Sequence, residues 1–423
     1  MTGLLYDIAL RLLQALLALV RLVGNKDKKL HKFATGQKHA MRTIEDALRG
    51  EDRDNVFWFH AASLGEYNVI RPIIQRLKER RSCRVVLTFF SPTGVEALTS
   101  REKLPPCIDH VFYLPLDTRR NARRFLRVVR PRKAIFAVSE YWVNYLGELK
   151  RQGIPAFLVS GCIGDDSILL KWYGRWFYGK ALRSYHAMMV LDDHSKSNLE
   201  SLGLNNVVKM GDPLFDTAIS VAATEYHDEK IERFCAAQHP VFIAGSIHDR
   251  NDLQLVGSLA NRHRDVKFIF VPHEIRANNM ELVKEHTEGK AVAYSEIADG
   301  DDLSDVQILV IDFLGALSRI YRYGHFAYVG GGFTPYLHSV IEATVYGLPV
   351  AFGPNIKRKV TPRQLQVLGI GQMVRTEDEL DNWLSSLKND GQALQTIRQK
   401  AREYTQQNSG ATEKVTELIL SEK

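Results

Sequence analysis

Beyond residue 50 the chain alternates short apolar runs with stretches whose apolar positions recur every three or four residues. VFWFH (56–60), RVVLTFF (84–90), HVFYLPL (110–116), KAIFAVS (133–139), PAFLVSG (155–161) and AMMVLD (187–192) form a first set. PVFIAGS (240–246), VKFIFVPHE (266–274), VQILVID (306–312), HFAYVGGG (325–332) and LPVAFGP (348–354) form a second. Near-continuous apolar strands separated by amphipathic helices predict βαβ units and parallel sheets buried on both faces. The expected fold class is therefore α/β, with two consecutive doubly wound domains. Between the two sets the pattern weakens through AISVAATEYHDEKIERFCAAQH, so residues 218–239 are read as the inter-domain connection. That places a first domain over 25–217 and a second over 240–423, with the last helix free to pack back on the first. Ligands of doubly wound sheets sit beyond the carboxyl ends of the strands, and two such domains set the expected site in a cleft between them.

The N-terminus follows a different pattern. Residues 4–23, LLYDIALRLLQALLALVRLV, are almost long enough to span a bilayer but carry Asp7, Arg11 and Arg21. On a helix Asp7, Arg11, Gln14 and Arg21 fall in one narrow stripe, and the rest is apolar. Residues 1–24 are thus expected as a membrane-associated helix lying in the interface with its polar stripe towards water. The alternative is an amphipathic helix docked on the protein's own core. The next stretch holds Lys26, Lys28, Lys29, Lys32, Lys38 and Arg42 against the single acid Asp27. Basic charge beside an apolar helix favours anionic head groups and the cytoplasmic leaflet. No basic residue precedes the apolar run and no small-x-small cleavage site follows it, which argues against a signal peptide.

Composition narrows the classes. The 423 residues are 45% hydrophobic and 25% charged, ordinary globular proportions that exclude disorder and collagen-like repeats. Cys83, Cys107, Cys162 and Cys235 are widely spaced, which argues against a zinc ribbon or a disulfide framework and suits a reducing compartment. A net charge of +7 is too small to imply nucleic acid. P-loop, zincin, α/β-hydrolase and Rossmann glycine motifs are all missing from the sequence.

Polar residues at strand ends remain. VFWFH runs into Ala61-Ala62-Ser63-Leu64-Gly65-Glu66 and then a helical stretch, which places Glu66 in a first helical turn at the sheet's mouth. Ser63-x-x-Glu66 reads as a capping box; equally, Gly65 admits a ligand and the carboxylate can accept a hydroxyl proton. Ser91-Pro92-Thr93-Gly94 opens another helix, whose free N–H groups suit a phosphate or sugar. Glu140 ends a further strand on the same edge, and paired carboxylates suit acid/base chemistry. In the second domain His273-Glu274, Asp312-Phe313-Leu314-Gly315 and Gly330-Gly331-Gly332 follow strands. His338-Ser339-Val340-Ile341-Glu342 then opens a short helix. Its N–H groups suit a phosphate and Glu342 suits ribose hydroxyls, while Ser339-x-x-Glu342 also reads as a capping box.

HAASLGE (60–66), SPTG (91–94), SEYW (139–142), GDPLFD (211–216), VPHE (271–274), FLG (313–315) and SVIEATVYGLPV (339–350) resemble the successive motifs of one family. It is that of the 3-deoxy-D-manno-octulosonic acid (Kdo) transferases of lipopolysaccharide synthesis, and the motifs occur in the family's order. The resemblance implies a GT-B glycosyltransferase, with two Rossmann-like domains facing a cleft. Such an enzyme moves Kdo from CMP-Kdo to the lipid A disaccharide precursor with inversion, at the cytoplasmic face of the inner membrane and without a metal or other cofactor. It implies that Glu66 is the general base and Glu140 a supporting carboxylate. Ser63, Gly65, Ser91 and Thr93 then lie on the acceptor side, and Pro272, His273, Leu314, Gly315, Ala316, Ser339, Val340, Ile341 and Glu342 hold the donor. CMP-Kdo, the lipid A precursor and a membrane surface with anionic lipids are the implied partners; nucleic acid is not one. The chain departs from the family at Val138 and Leu214, where many members carry a charged residue; Arg250 or Lys357 is a candidate substitute cation. Without the resemblance, the strand-end residues also suit a UDP-sugar transferase, a nucleotide-sugar epimerase or a catalytically silent lipid-binding protein.

Overall fold

The computed structural model describes residues 2–23, 29–100, 103–236, 239–335, 337–357 and 359–421. Lys26, Asp27 and Lys28 of the basic stretch lie outside the described residues. The chain forms two compact units, Met1–Leu214 with Gly410–Lys423, and Phe215–Ser409.

The first unit is built on a seven-stranded parallel sheet. Its strands are β1 (Val56–Ala61), β2 (Arg84–Phe89), β3 (His110–Tyr113), β4 (Lys133–Ala137), β5 (Ala156–Gly161), β6 (Ala187–Val190) and β7 (Val207–Lys209). They run in the order β3-β2-β1-β4-β5-β6-β7, so the sequence of connections reverses between β1 and β4. Both faces are covered. Trp58, Val86, Phe136 and Leu158 point into one apolar layer, and Phe57, Phe59, Leu87, Ile135 and Phe157 into the other. This two-sided burial is why the strands read as unbroken apolar runs.

The second unit repeats the architecture. It uses β8 (Val241–Ile247), β9 (Lys267–Pro272), β10 (Ala291–Ala293), β11 (Ile308–Val310), β12 (Phe326–Val329), β13 (Val350–Phe352) and β14 (Gly371–Met373). The order is β10-β11-β9-β8-β12-β13-β14, all parallel, with the reversal between β8 and β12. Ligand sites of doubly wound sheets open at such reversals.

Two expectations need correction. Residues 218–239, read as the inter-domain connection, contain the helix Glu229–Cys235, capped by Asp228 with Ile231 and Phe234 buried, and this helix falls in the second unit. The unit boundary falls after Leu214 rather than at 217, while residues 410–423 belong to the first unit, in line with the expectation that the last helix packs back on it. There the helix Ala411–Ser421 buries Val415 and Ile419 in the first unit's core and pairs Glu413 with Arg76 at 2.7 Å.

The second correction concerns α1 (Thr2–Val23): of its polar stripe Asp7 is buried against the protein and Arg21 is half-buried, while Arg11 and Gln14 are exposed. Asp7 is only 6% exposed, and its carboxylate accepts the Arg119 N–H at 2.8 Å and the Arg11 Nε–H at 2.9 Å. Beside it the Tyr6 hydroxyl donates at 3.0 Å to Asp117, which also accepts the N–H groups of Asn144 and Tyr145. Burial pushes the Asp117 carboxyl up to about 7. Leu17 packs on Ala34 of α2 (Lys29–Ala47), while Ile8, Leu12, Leu16, Leu19 and Leu22 are exposed. Among the described residues no helix is long and apolar enough to cross a membrane.

Candidate functional site

In the first unit, the reversal between β1 and β4 brings the two predicted carboxylates together. β1 leads into α3 (Leu64–Arg80), which starts where it does because Ser63, in extended backbone, accepts the Glu66 N–H at 3.4 Å. Glu66 reaches back so that its Oε2 accepts the Ala62 N–H at 2.5 Å. The capping contacts expected from the sequence therefore form, and they hold the carboxylate at the end of β1. Desolvation and the charge of Glu140 together raise Glu66 to about 7, outweighing the two backbone N–H groups that act in the other direction. A carboxyl poised there exchanges protons readily near neutral pH. Gly65 is exposed, and a Cβ placed on it would meet only the Ser63 hydroxyl at 3.8 Å, so the approach beside Glu66 is open.

Glu140 sits three residues beyond β4 and is buried. The backbone reaches it through Val138, which adopts φ 60°, a left-handed conformation that a β-branched residue takes up at a cost of about 1–3 kcal/mol. The chain thus has a strained turn at Val138 ahead of Glu140. One carboxylate oxygen lies 3.2 Å from His60 Nε2 and accepts from the Trp142 indole N–H. The His60 ring is fixed from behind by contacts of its Nδ1 with the Thr88 carbonyl at 3.0 Å and hydroxyl at 2.9 Å. The same hydroxyl accepts from Trp58 Nε1 at 2.8 Å. Trp58, His60 and Thr88 are completely buried. A buried polar chain from the sheet interior thus orients Glu140, which in turn raises Glu66.

Ser91 and Thr93 lie on the neighbouring loop. The Ser91 N–H donates to the Ala62 carbonyl at 2.8 Å, tying the ends of β1 and β2 together. Its hydroxyl pairs with that of Thr93 at 2.7 Å and does not cap α4 (Pro92–Thr99). Gly94 is there for packing, since a Cβ would lie 2.3 Å from the Phe89 ring.

In the second unit the predicted donor residues follow β9 (Pro272 and His273), β11 (Leu314 to Ala316) and β12 (Ser339 to Glu342). Pro272 ends β9, and His273 follows it. His338 approaches His273 with ring centroids 4.3 Å apart, and His248, just after β8, lies 5.0 Å from His273. Burial first, then the neighbouring imidazoles, drive His338 down to about 4. Burial and His248 push His273 down as well. A nitrogen of each ring lies within 4.8 Å of the others, a spacing that could hold a metal ion or an anion. The loops carrying them are organised by the buried Asp252, which accepts from the His248 N–H at 2.9 Å, the Gly331 N–H at 2.8 Å and the Tyr328 hydroxyl at 2.6 Å. Pro272, His248, Arg250, Glu274 and Arg276 line a cavity of about 250 Å³.

The capping box expected at Ser339 does not form. The helix is the single turn Ile341–Thr344 with Val340 as its N-cap, so Ser339 stands outside it. Glu342 is free of that capping role, and desolvation raises it to about 7. Leu314 and Gly315 are exposed in the turn before the helix Leu317–Ile320, Gly315 with φ 90°, while Ala316 is buried as its N-cap.

Comparison with known proteins bears on these features. Residues 33–217 match the family model of 3-deoxy-D-manno-octulosonic-acid transferase (kdotransferase). A 3-deoxy-D-manno-octulosonic acid transferase of Chlamydia trachomatis is 25% identical over 382 residues, covering 86% of this chain and 85% of its own length. The corresponding transferase of Aquifex aeolicus is 26% identical over 351 residues, covering 82% and 89%. Over most of its length the chain is similar to these Kdo transferases. Among solved structures, a UDP-GlcNAc 2-epimerase from Neisseria meningitidis superposes with TM-score 0.61 at 13% identity, covering 86% of this chain and 99% of that one. Acinetobacter baumannii MurG gives 0.56 at 12%, covering 87% and 99%. These likenesses establish the fold, two Rossmann-like units of GT-B type. The Kdo transferase family model covers the stretch that holds both Glu66 and Glu140.

Proposed function

We propose that this chain is an inverting glycosyltransferase that moves Kdo from CMP-Kdo to a hydroxyl of the lipid A disaccharide precursor. The observation that carries the assignment of roles is the raised, solvent-approachable carboxyl of Glu66, held at the end of β1 beside a second carboxylate. In the reaction, Glu66 takes the proton of the acceptor hydroxyl as the oxygen attacks the anomeric carbon of Kdo. The bond from that carbon to the phosphate oxygen breaks, its electron pair leaves with CMP, and Glu66 later releases the proton to solvent. Glu140 keeps Glu66 basic enough for this task. Ser63, Ser91 and Thr93 supply hydroxyls for the acceptor, and Gly65 leaves it room.

The donor is assigned to Pro272, His273, Leu314 to Ala316 and Ser339 to Glu342, with His248 and His338 added from their placement around His273. His248, His273 and His338 each place a ring nitrogen within 4.8 Å of the others, and their ring N–H groups suit an anion such as the CMP phosphate. We read the cluster in that way and assign the reaction no metal. The lipid acceptor and the outward apolar face of α1 support attachment to the cytoplasmic leaflet of the inner membrane, with anionic lipids held by Lys29, Lys32, Lys38 and Arg42.

Mass spectrometry of the product formed from CMP-Kdo and the lipid A precursor, with chelator present, tests the reading. The expected product is the precursor carrying Kdo, with free CMP released. Absence of that product from folded enzyme, or tighter calorimetric binding of UDP than of CMP, would contradict it.

A further inference from the structure

Neither the sequence motifs nor the catalytic scheme uses the exposed aromatic residues that follow β5 in the first unit. The short turn Ile168–Leu170 and the helix Trp172–Leu182 present Ile168, Trp172, Tyr173 and Trp176 to the outside, with Trp172 80% and Trp176 62% exposed. Large aromatic side chains so far from burial are unusual on a protein surface. The helix is held down by its other side, where Gly174 closes against the Ile168 carbonyl and Ala181 and Leu182 are buried. On the outer side Trp172, Trp176, Lys180 and Arg183 follow one another along a single stripe at helical spacing. From Ser167 to His186 the chain carries Lys171, Arg175, Lys180 and Arg183 and no acid.

This surface joins that of α1. The Tyr6 ring meets the Phe177 ring edge-on with centroids 5.5 Å apart, so the two helices are in direct contact. α1 adds Ile8, Leu12, Leu16, Leu19 and Leu22 along a helix of about 33 Å. Indole rings beside cations, continuous with a long apolar stripe, suit the boundary between acyl chains and anionic head groups.

We propose that the Trp172–Leu182 helix is a second membrane foothold. It inserts Trp172 and Trp176 into the head-group boundary of an anionic leaflet, while Lys171, Arg175, Lys180 and Arg183 bind the head groups. This inference rests on the reading that the enzyme works on a membrane lipid. Its consequence is that attachment does not depend on α1 alone.

The test uses the full chain and vesicles of phosphatidylethanolamine and phosphatidylglycerol, the latter brominated on its acyl chains. Of the five tryptophans, Trp58 is completely buried and Trp142 and Trp383 are packed against the cores, so quenching by bromine reports on Trp172 and Trp176. We expect a blue shift and strong quenching on binding, both lost in Trp172→Ala/Trp176→Ala. That variant should need about tenfold more lipid for half-binding, the loss expected for two partly buried aromatic anchors. Leu12→Lys/Leu16→Lys/Leu19→Lys should retain measurable vesicle binding and quenching. Wild-type chain that sediments with the vesicles without quenching, or a tryptophan variant that binds as well as wild type, would overturn the foothold. Wild-type chain that does not sediment with the vesicles at all would remove the membrane reading along with it.

Discussion

At the scale of single residues, the chemistry rests on how two carboxylates are solvated. Glu66 accepts two backbone N–H contacts and is still raised to about 7, because desolvation and Glu140 together outweigh them. A base must be ionised to act, so the transfer rate should rise as pH increases through about 7 and then level off. Glu140→Gln removes the like charge, which lowers the Glu66 pKa and should move the acid limb of the pH–rate profile to lower pH. An acid limb that stays in place in this variant would show that Glu140 does not set the basicity of Glu66. Glu66 and Glu140 were legible in the sequence because each follows an apolar run at a strand end. The chain that orients them was not: His60 and Thr88 lie 28 positions apart and meet only through the register of β1 on β2. Neither has a pattern of its own inside an apolar strand. Ser339 misled for the opposite reason, since its spacing to Glu342 fits a capping box but the helix begins beyond it.

At the scale of elements, most strands were legible, the edge strand β3 among them, but the edge strands β7, β10 and β14 were not. β7, β10 and β14 are three residues each, too short to show a period, and all three lie at sheet edges. The helix Glu229–Cys235 was taken for part of a connection because only Ile231 and Phe234 of its seven residues are buried. In α1 the pattern located a polar stripe but could not say which partner would meet it. For Asp7 the partner is the Arg119 N–H, 112 residues away. The C-terminal helix shows the same dependence on distant partners. Ile419 is fully buried in the core of the first unit, and its carbonyl accepts from the buried Lys133 ammonium. Ile419→Ala should therefore destabilise the first unit by about 2–5 kcal/mol in denaturant unfolding. An unchanged midpoint would mean that this helix does not belong to the core.

At the scale of the whole molecule, one chain carries two sheets of the same kind, and the strand ends near their reversals carry different side chains. Carboxylates gather at the end of β1 and imidazoles at the ends of β8, β9 and β12. That division suits a transfer in which one group loses a proton and another leaves as an anion. The two sheets and the order of motifs could be read from apolar runs and the residues that end them. The imidazole cluster could not, because His248, His273 and His338 come from three separate loops whose meeting depends on the turns around Asp252. The central claim is that Glu66 removes the acceptor proton. Its most direct test is the rate of Kdo transfer by Glu66→Gln, with CMP binding measured on the same preparation. A fall of about 10²–10⁴ with CMP affinity retained is the predicted result; turnover near that of the unaltered chain would contradict it.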